Sequence, residues 1–68
     1  MSAYKVIEII GSSPNSWEEA AKTAILEAAK SIRHLRVAEV VQLDVNLSDS
    51  GQVLEYRARL KVSIKHEA

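Results

Sequence analysis

The sequence predicts an α+β fold: a β-α-β-β subunit whose three-stranded antiparallel sheet, in spatial order 1-3-2, is wrapped on one helix. Three observations predict it. A short β-branched run opens the chain and stops at Gly11. A helix-start signal at Ser16 leads into apolar residues at helical spacing. Two long alternating runs, separated by turn residues, close the chain. With 68 residues in all, the chain is read as a single domain, 1–68.

The first strand is expected over residues 4–10. Ile7 and Ile9 share one face of it, and Val6, Glu8 and Ile10 share the other. The mixed second face suggests a strand covered on both sides, on one of them by another subunit. Gly11, Ser12, Ser13, Pro14 and Asn15 read as a loop.

Ser16 then opens a capping box with Glu19: the hydroxyl accepts from the Glu19 amide while the Glu19 carboxylate reaches back. Glu18 and Glu19 suit the positive end of the helix dipole, and Lys30 and Arg33 suit the negative end. Ala20, Ala21, Ala24, Ile25, Ala28 and Ile32 form one apolar stripe. The helix is expected to stop near His34 and Leu35. Its alanines allow a close approach to a sheet but bury little area.

Residues 37–47 and 54–64 read as two long strands. In the first, Val37, Val41, Leu43, Val45 and Leu47 alternate, with Glu39 the exception; in the second, Leu54, Tyr56, Ala58, Leu60, Val62 and Ile64 alternate. Ser48, Asp49, Ser50, Gly51 and Gln52 supply the turn between them. The alternation sets a register with Leu47 opposite Leu54, Val45 opposite Tyr56, Leu43 opposite Ala58 and Val41 opposite Leu60. The other face then pairs Asp44 with Arg57 and Gln42 with Arg59. A helix of roughly 27 Å is shorter than an 11-residue strand of about 36 Å, so part of the sheet is left for other subunits.

Composition excludes several classes. There is no Cys, so disulfides and thiolate metal sites are out, and His34 and His66 form no ligand-spaced cluster. Self-association is the remaining way to stabilise so small a core. Nine basic residues balance nine acidic ones, which leaves no net field for nucleic acid or an acidic membrane. Three aromatics, Tyr4, Trp17 and Tyr56, are too few for a base-stacking platform. No leader pattern opens the chain and no run nears the roughly 20 apolar residues of a membrane span, so the expected location is cytoplasmic.

An enzyme is not expected. No nucleophile–base set is visible, Gly11 stands alone rather than in a phosphate-cradling loop, and Glu18 and Glu19 point in different directions.

The chain resembles the dodecins over nearly its whole length. The likeness is carried by Gly11-Ser12-Ser13, by Ser16-Trp17-Glu18-Glu19-Ala20, and by Leu35-Arg36-Val37-Ala38-Glu39-Val40 entering the second strand. The resemblance implies a hollow homododecamer of sheets wrapped on helices, with a flavin held between subunits. It also implies where that flavin would sit. Family members that bind flavin carry a ring-stacking tryptophan where this chain has Val37, and a hydrogen-bonding glutamine where it has Arg57. Valine has no π face and a guanidinium accepts no hydrogen bond. Trp17, at the helix entrance, is not on the second strand and reads as a packing or subunit-contact residue.

These two departures, with the opening residues, resemble a branch described as calcium dodecins, which hold calcium in place of flavin. Calcium needs six or more oxygens. Glu8, Asp44, Asp49 and Ser50 are the candidate donors, and no EF-hand loop is present. Glu8 and Asp44 have a second reading, as counter-charges to Arg57, Arg59 and Lys61. Three functions follow: a calcium-dodecin-like binding or storage shell, a flavin-storage dodecin, or a shell that holds no ligand.

Overall fold

A computed structural model describes residues 1–66. Four elements follow in order: β1 (Ala3–Ser13), α1 (Trp17–Ala29), β2 (Leu35–Leu47) and β3 (Val53–His66). The sheet order is β1-β3-β2 with both pairings antiparallel. The expected topology is the observed one.

The sheet has a helix face and an open face, and residue parity decides which side chains go where. On β1, Ile7 and Ile9 face the helix opposite Val62 and Leu60, whereas Val6, Glu8 and Ile10 lie on the open face. The core is small: Ala20, Ala24, Ala58, Leu60 and Val62, with Ile7, Ile9, Ala21, Ile25 and Leu35 packed around it. Alanine on both surfaces lets α1 press against the sheet at the β1–β3 seam. Gly11 marks the closest point, because a Cβ there would collide with the Ala20 carbonyl and stand 2.8 Å from the Ala24 Cβ.

Every element has a boundary that differs from expectation. Gly11, Ser12 and Ser13 belong to β1 and not to a loop, since they pair with Ala58, Arg57 and Tyr56. Their small side chains mark the helix crossing, not a turn. The helix ends at Ala29, before Ile32 and His34. The amides of Lys30, Ser31 and Ile32 fold back on the carbonyls of Glu27 and Ala28, which tightens and ends the last turn. His34 then takes φ 66°, reversing the chain into β2, a conformation histidine adopts more readily than most residues. β2 starts at Leu35, and β3 runs from Val53 to His66.

The capping box is half formed. The Glu19 amide donates to Ser16 Oγ at 3.0 Å as expected. The Glu19 carboxylate instead accepts from Ser13 Oγ and Asn15 Nδ2, both at 3.0 Å. Ser13 is buried, 2 % exposed, so its hydroxyl needs a partner, and the Glu19 carboxylate supplies one.

Register holds from Gln42 to Asn46, where Leu43 meets Ala58, Asp44 meets Arg57 and Val45 meets Tyr56. It slips elsewhere. Leu60 is opposite Val40, not Val41, and Leu47 is opposite Val53, not Leu54. Val41 is the extra residue of a bulge, and it reverses the parity of residues 37–40, up to the next shift between Leu35 and Val37. Ala38 and Val40 therefore face the helix, while Val37 and Glu39 move to the open face opposite Ser63 and Lys61. Glu39, the exception to the alternation, is in pattern once the bulge is placed.

At about 1.5 Å per residue, thirteen helical residues cover about 20 Å. The fourteen residues of β3 run about 46 Å. The helix packs on β1 and β3 and barely touches β2. The shape is long, 52 × 20 × 15 Å, and the radius of gyration is 14.0 Å where a compact chain of this length has about 11 Å.

Candidate functional site

The open face is built by β3, whose Arg57, Arg59, Lys61 and Ser63 alternate with its core residues. The two flanking strands supply the carboxylates. Asp44 on β2 meets Arg57 in a two-pronged ion pair, Nε to Oδ1 at 2.7 Å and Nη2 to Oδ2 at 3.0 Å. The planar guanidinium matches the carboxylate with two parallel bonds, a geometry lysine does not offer. On the other side Arg59 Nη1 donates to Glu8 Oε1 at 3.2 Å. Lys61 lies in register between Glu8 on β1 and Glu39 on β2.

The Arg57 pair sets the local electrostatics. Its hydrogen bonds hold the Asp44 carboxyl below its ordinary range, against a smaller opposing effect of desolvation, and Asp44 in turn raises Arg57. Asp44 also ties the two faces together. Its backbone carbonyl accepts from Trp17 Nε1 at 3.0 Å, and Trp17 meets Tyr56 edge-on, ring centroids 5.1 Å apart. Trp17 is thus a packing residue on the helix side, pinning the helix entrance to the β2–β3 hairpin.

Val37 sits at the opposite end of the open face and is 64 % exposed. Its amide donates to Ser63 Oγ at 3.2 Å, and the Ser63 hydroxyl donates to the Val37 carbonyl at 3.4 Å. That side-chain clasp fills the gap left by the register shift between Leu35 and Val37. Val37, Val6, Glu8, Glu39, Lys61 and Ser63 line an open hollow of about 540 Å³.

The structure therefore brings some of the sequence candidates onto one surface and separates others. Val37, Arg57, Glu8 and Asp44 share the open face. Asp49 and Ser50 stand exposed at the tip of the β2–β3 hairpin. Glu8 and Asp44 are each engaged by an arginine, and among the described residues no group of three or more His, Cys, Asp or Glu gathers to hold a metal ion. Sequence reasoning put Val37 and Glu39 together on the apolar face and so missed that both belong to the open one, and it missed Ser63. The signal for Glu39 was present: one charged residue out of phase, followed by the Val40–Val41 doublet, is the mark of a bulge.

No helix among the described residues is long and apolar enough to cross a membrane. Comparison with known proteins gives a consistent result. The Dodecin family model matches residues 3–67. The chain is 48 % identical over 65 residues to the calcium dodecin of Mycobacterium tuberculosis, covering 96 % of this chain and 90 % of the relative. It is 34 % identical over 64 residues to the dodecin of Thermus thermophilus, covering 94 % and 91 %. Among solved structures, the Mycobacterium tuberculosis calcium dodecin, described as calcium-chelating with a novel calcium-binding site, superposes with a TM-score of 0.84. It is 45 % identical, over 97 % of this chain and 93 % of that one. The dodecin of Streptomyces coelicolor gives a TM-score of 0.90 at 31 % identity, over 98 % and 94 %.

Proposed function

This chain belongs to the dodecin family, and from that premise we propose that it is a non-enzymatic homododecameric shell that binds or stores calcium, not flavin. The observation that carries the reading is the pairing of an exposed Val37 with an Arg57 already clasped by Asp44. Where a flavin-holding relative would present a stacking ring and an amide, this surface presents an aliphatic side chain and an engaged cation. Stacking on an aromatic is worth about 1–3 kcal/mol per base, and that attraction is absent at each copy of Val37. The relative at 48 % identity is a calcium dodecin, which supports the choice of ion.

One copy does not complete a calcium site. The ion takes six to eight oxygens, and the described residues of a single chain gather no cluster of three acidic groups. We therefore assign the ion to contacts between copies, with Glu8, Asp44 and Asp49 as the donors each copy brings. Arg59 engages Oε1 of Glu8 and leaves its second oxygen for an ion, Asp44 keeps a lone pair on each oxygen beside Arg57, and Asp49 stands exposed in the turn. Calcium bound this way supplies positive charge that joins carboxylates of neighbouring copies.

The test is ligand analysis of the purified assembly. After chelation and dialysis, calorimetric titration with calcium is expected to show saturable binding that Asp49→Asn weakens. Riboflavin, followed by its fluorescence, is expected to bind at least about two orders of magnitude more weakly than to a tryptophan-bearing relative, a loss of about 2.7 kcal/mol. Val37→Trp combined with Arg57→Gln is expected to restore part of it. Submicromolar riboflavin binding by the unaltered protein would overturn the choice of ligand. Binding of neither would leave a shell without a ligand.

A further inference from the structure

Packing alone does not explain Trp17. The indole stays 37 % exposed, yet it is held at two points. Its ring meets Tyr56 edge-on, and its Nε1–H donates to the Asp44 carbonyl at 3.0 Å. α1 barely touches β2, and among the described residues no other hydrogen bond joins the two elements.

The bond falls where β2 most needs a fixed point. β2 is an edge strand, paired on one side only, and its regular pairing over residues 42–46 is bounded by a register shift on either side. A slip of one residue would turn every side chain in that stretch to the other face. Asp44 would then leave Arg57 for the helix side. Successive carbonyls along a strand point to opposite edges, so the same slip would take the Asp44 carbonyl away from the indole. The Trp17 donor therefore fits one register, the one that presents the Asp44 carboxylate on the open face. Tyr56 supports it from the central strand. It lies opposite Val45, while Arg57, the next residue along, lies opposite Asp44. A ring pair on the helix face and an ion pair on the open face thus occupy adjacent rows of the sheet.

We propose that Trp17 is a positioning residue for the ion site: its N–H holds the Asp44 backbone so that the carboxylate meets calcium already in place. The role rests on the calcium reading above, in which Asp44 is a donor, and adds to it a residue that touches no ion. A donor fixed before binding loses less freedom when the ion arrives, so the tether raises affinity without supplying a ligand. The coupling is reciprocal. An ion seated on the Asp44 carboxylate acts on the carbonyl of the same residue, and through it on the indole.

Trp17 is the only tryptophan, so tryptophan emission reports on this contact alone. The unaltered full chain, stripped of metal, is titrated with calcium chloride and followed by calorimetry and by emission. The emission is expected to move with the calorimetric midpoint. Trp17→Phe keeps a ring beside Tyr56 and removes the donor. It is expected to weaken calcium binding about two- to tenfold, the net worth of one hydrogen bond in an equilibrium. Ser16→Ala loosens the same helix entrance by removing the cap on the Glu19 amide and leaves the indole in place. It is expected to bind calcium as the unaltered chain does. Equal weakening of both variants would mark a general loss of stability and overturn the positioning role. Undiminished calcium binding by Trp17→Phe would also overturn it, with the calcium reading left standing. Should Trp17→Phe fail to fold, the unaltered chain decides: calcium binding that leaves the emission unmoved overturns the role. A chain that binds no calcium overturns both.

Discussion

The two edge strands of this sheet are built to opposite standards. β1 pairs with β3 over eleven residues without a break in register, and its inner face lies under the helix against Ala20 and Ala24. β2 pairs with the same β3 through three irregularities, has no fully buried residue and is almost untouched by α1. One half is a finished core. The other is a surface awaiting a partner. A chain of this size has apolar material for one tight seam, and it spends the remainder on contacts that form between molecules.

Substitutions separate the halves. The largest effect is expected at Ala24, where Ala24→Glu places an unpaired carboxylate against the sheet at a position 6 % exposed. A buried charge without a partner costs several kcal/mol, so circular dichroism is expected to show no folded protein. Gly11→Ala comes next. Its Cβ meets backbone, not a flexible side chain, and the overpacking is expected to cost about 3 kcal/mol in denaturant unfolding. Measured neutrality would show that the seam is looser than described.

On the β2 side the expectation inverts. Leu43 is half exposed in the single chain, so Leu43→Ser removes about 1–1.5 kcal/mol of apolar transfer per copy and acts on assembly. Its secondary structure is expected to persist while the native mass falls. Loss of fold with mass would instead make β2 part of the intrinsic core. Ser16→Ala removes the cap that accepts from the Glu19 amide and is expected to cost about 1 kcal/mol, read as a lowered Tm, without altering the subunit count.

The smallest effect is on pH dependence. The Asp44 carboxyl is held below its ordinary 3.8 by Arg57. Its contribution to stability is therefore fully present above 3.8 and is lost as pH falls through the depressed folded value. Asp44→Asn is expected to flatten that acid limb of a Tm profile and to leave neutral-pH slopes alone. High salt is expected to weaken the pair as well, since it is partly exposed.

The contrast also explains what was legible in the sequence. Alternation in β3, the Ser16 cap and the turn at Gly51 all state their geometry locally, and Gly51 does take φ 83°. The Asp44–Arg57 pair followed from charge complementarity across a correct register. The boundaries that went astray depend on tertiary contact. Gly11 reads as a turn residue unless one knows a helix crosses it. Ile32 continues the helical spacing but lies past the point where three amides collapse onto the last turn. The Val41 bulge sent Val37 to the open face, and Glu39, out of phase before the Val40–Val41 doublet, was the hint of it. As for the site, its arginine–carboxylate pairs were legible because both partners come from one chain. An ion site shared between copies would not be, because ligands brought by another copy leave no local motif.

The central claim is that the β2 half is completed by other copies of the chain. Light scattering on the unaltered protein, diluted to micromolar concentration without added ligand, tests it most directly. The account predicts a stable species of twelve times the 7.5 kDa chain. A folded species of 7.5 kDa under those conditions would contradict it, since the exposed half would then be stable alone.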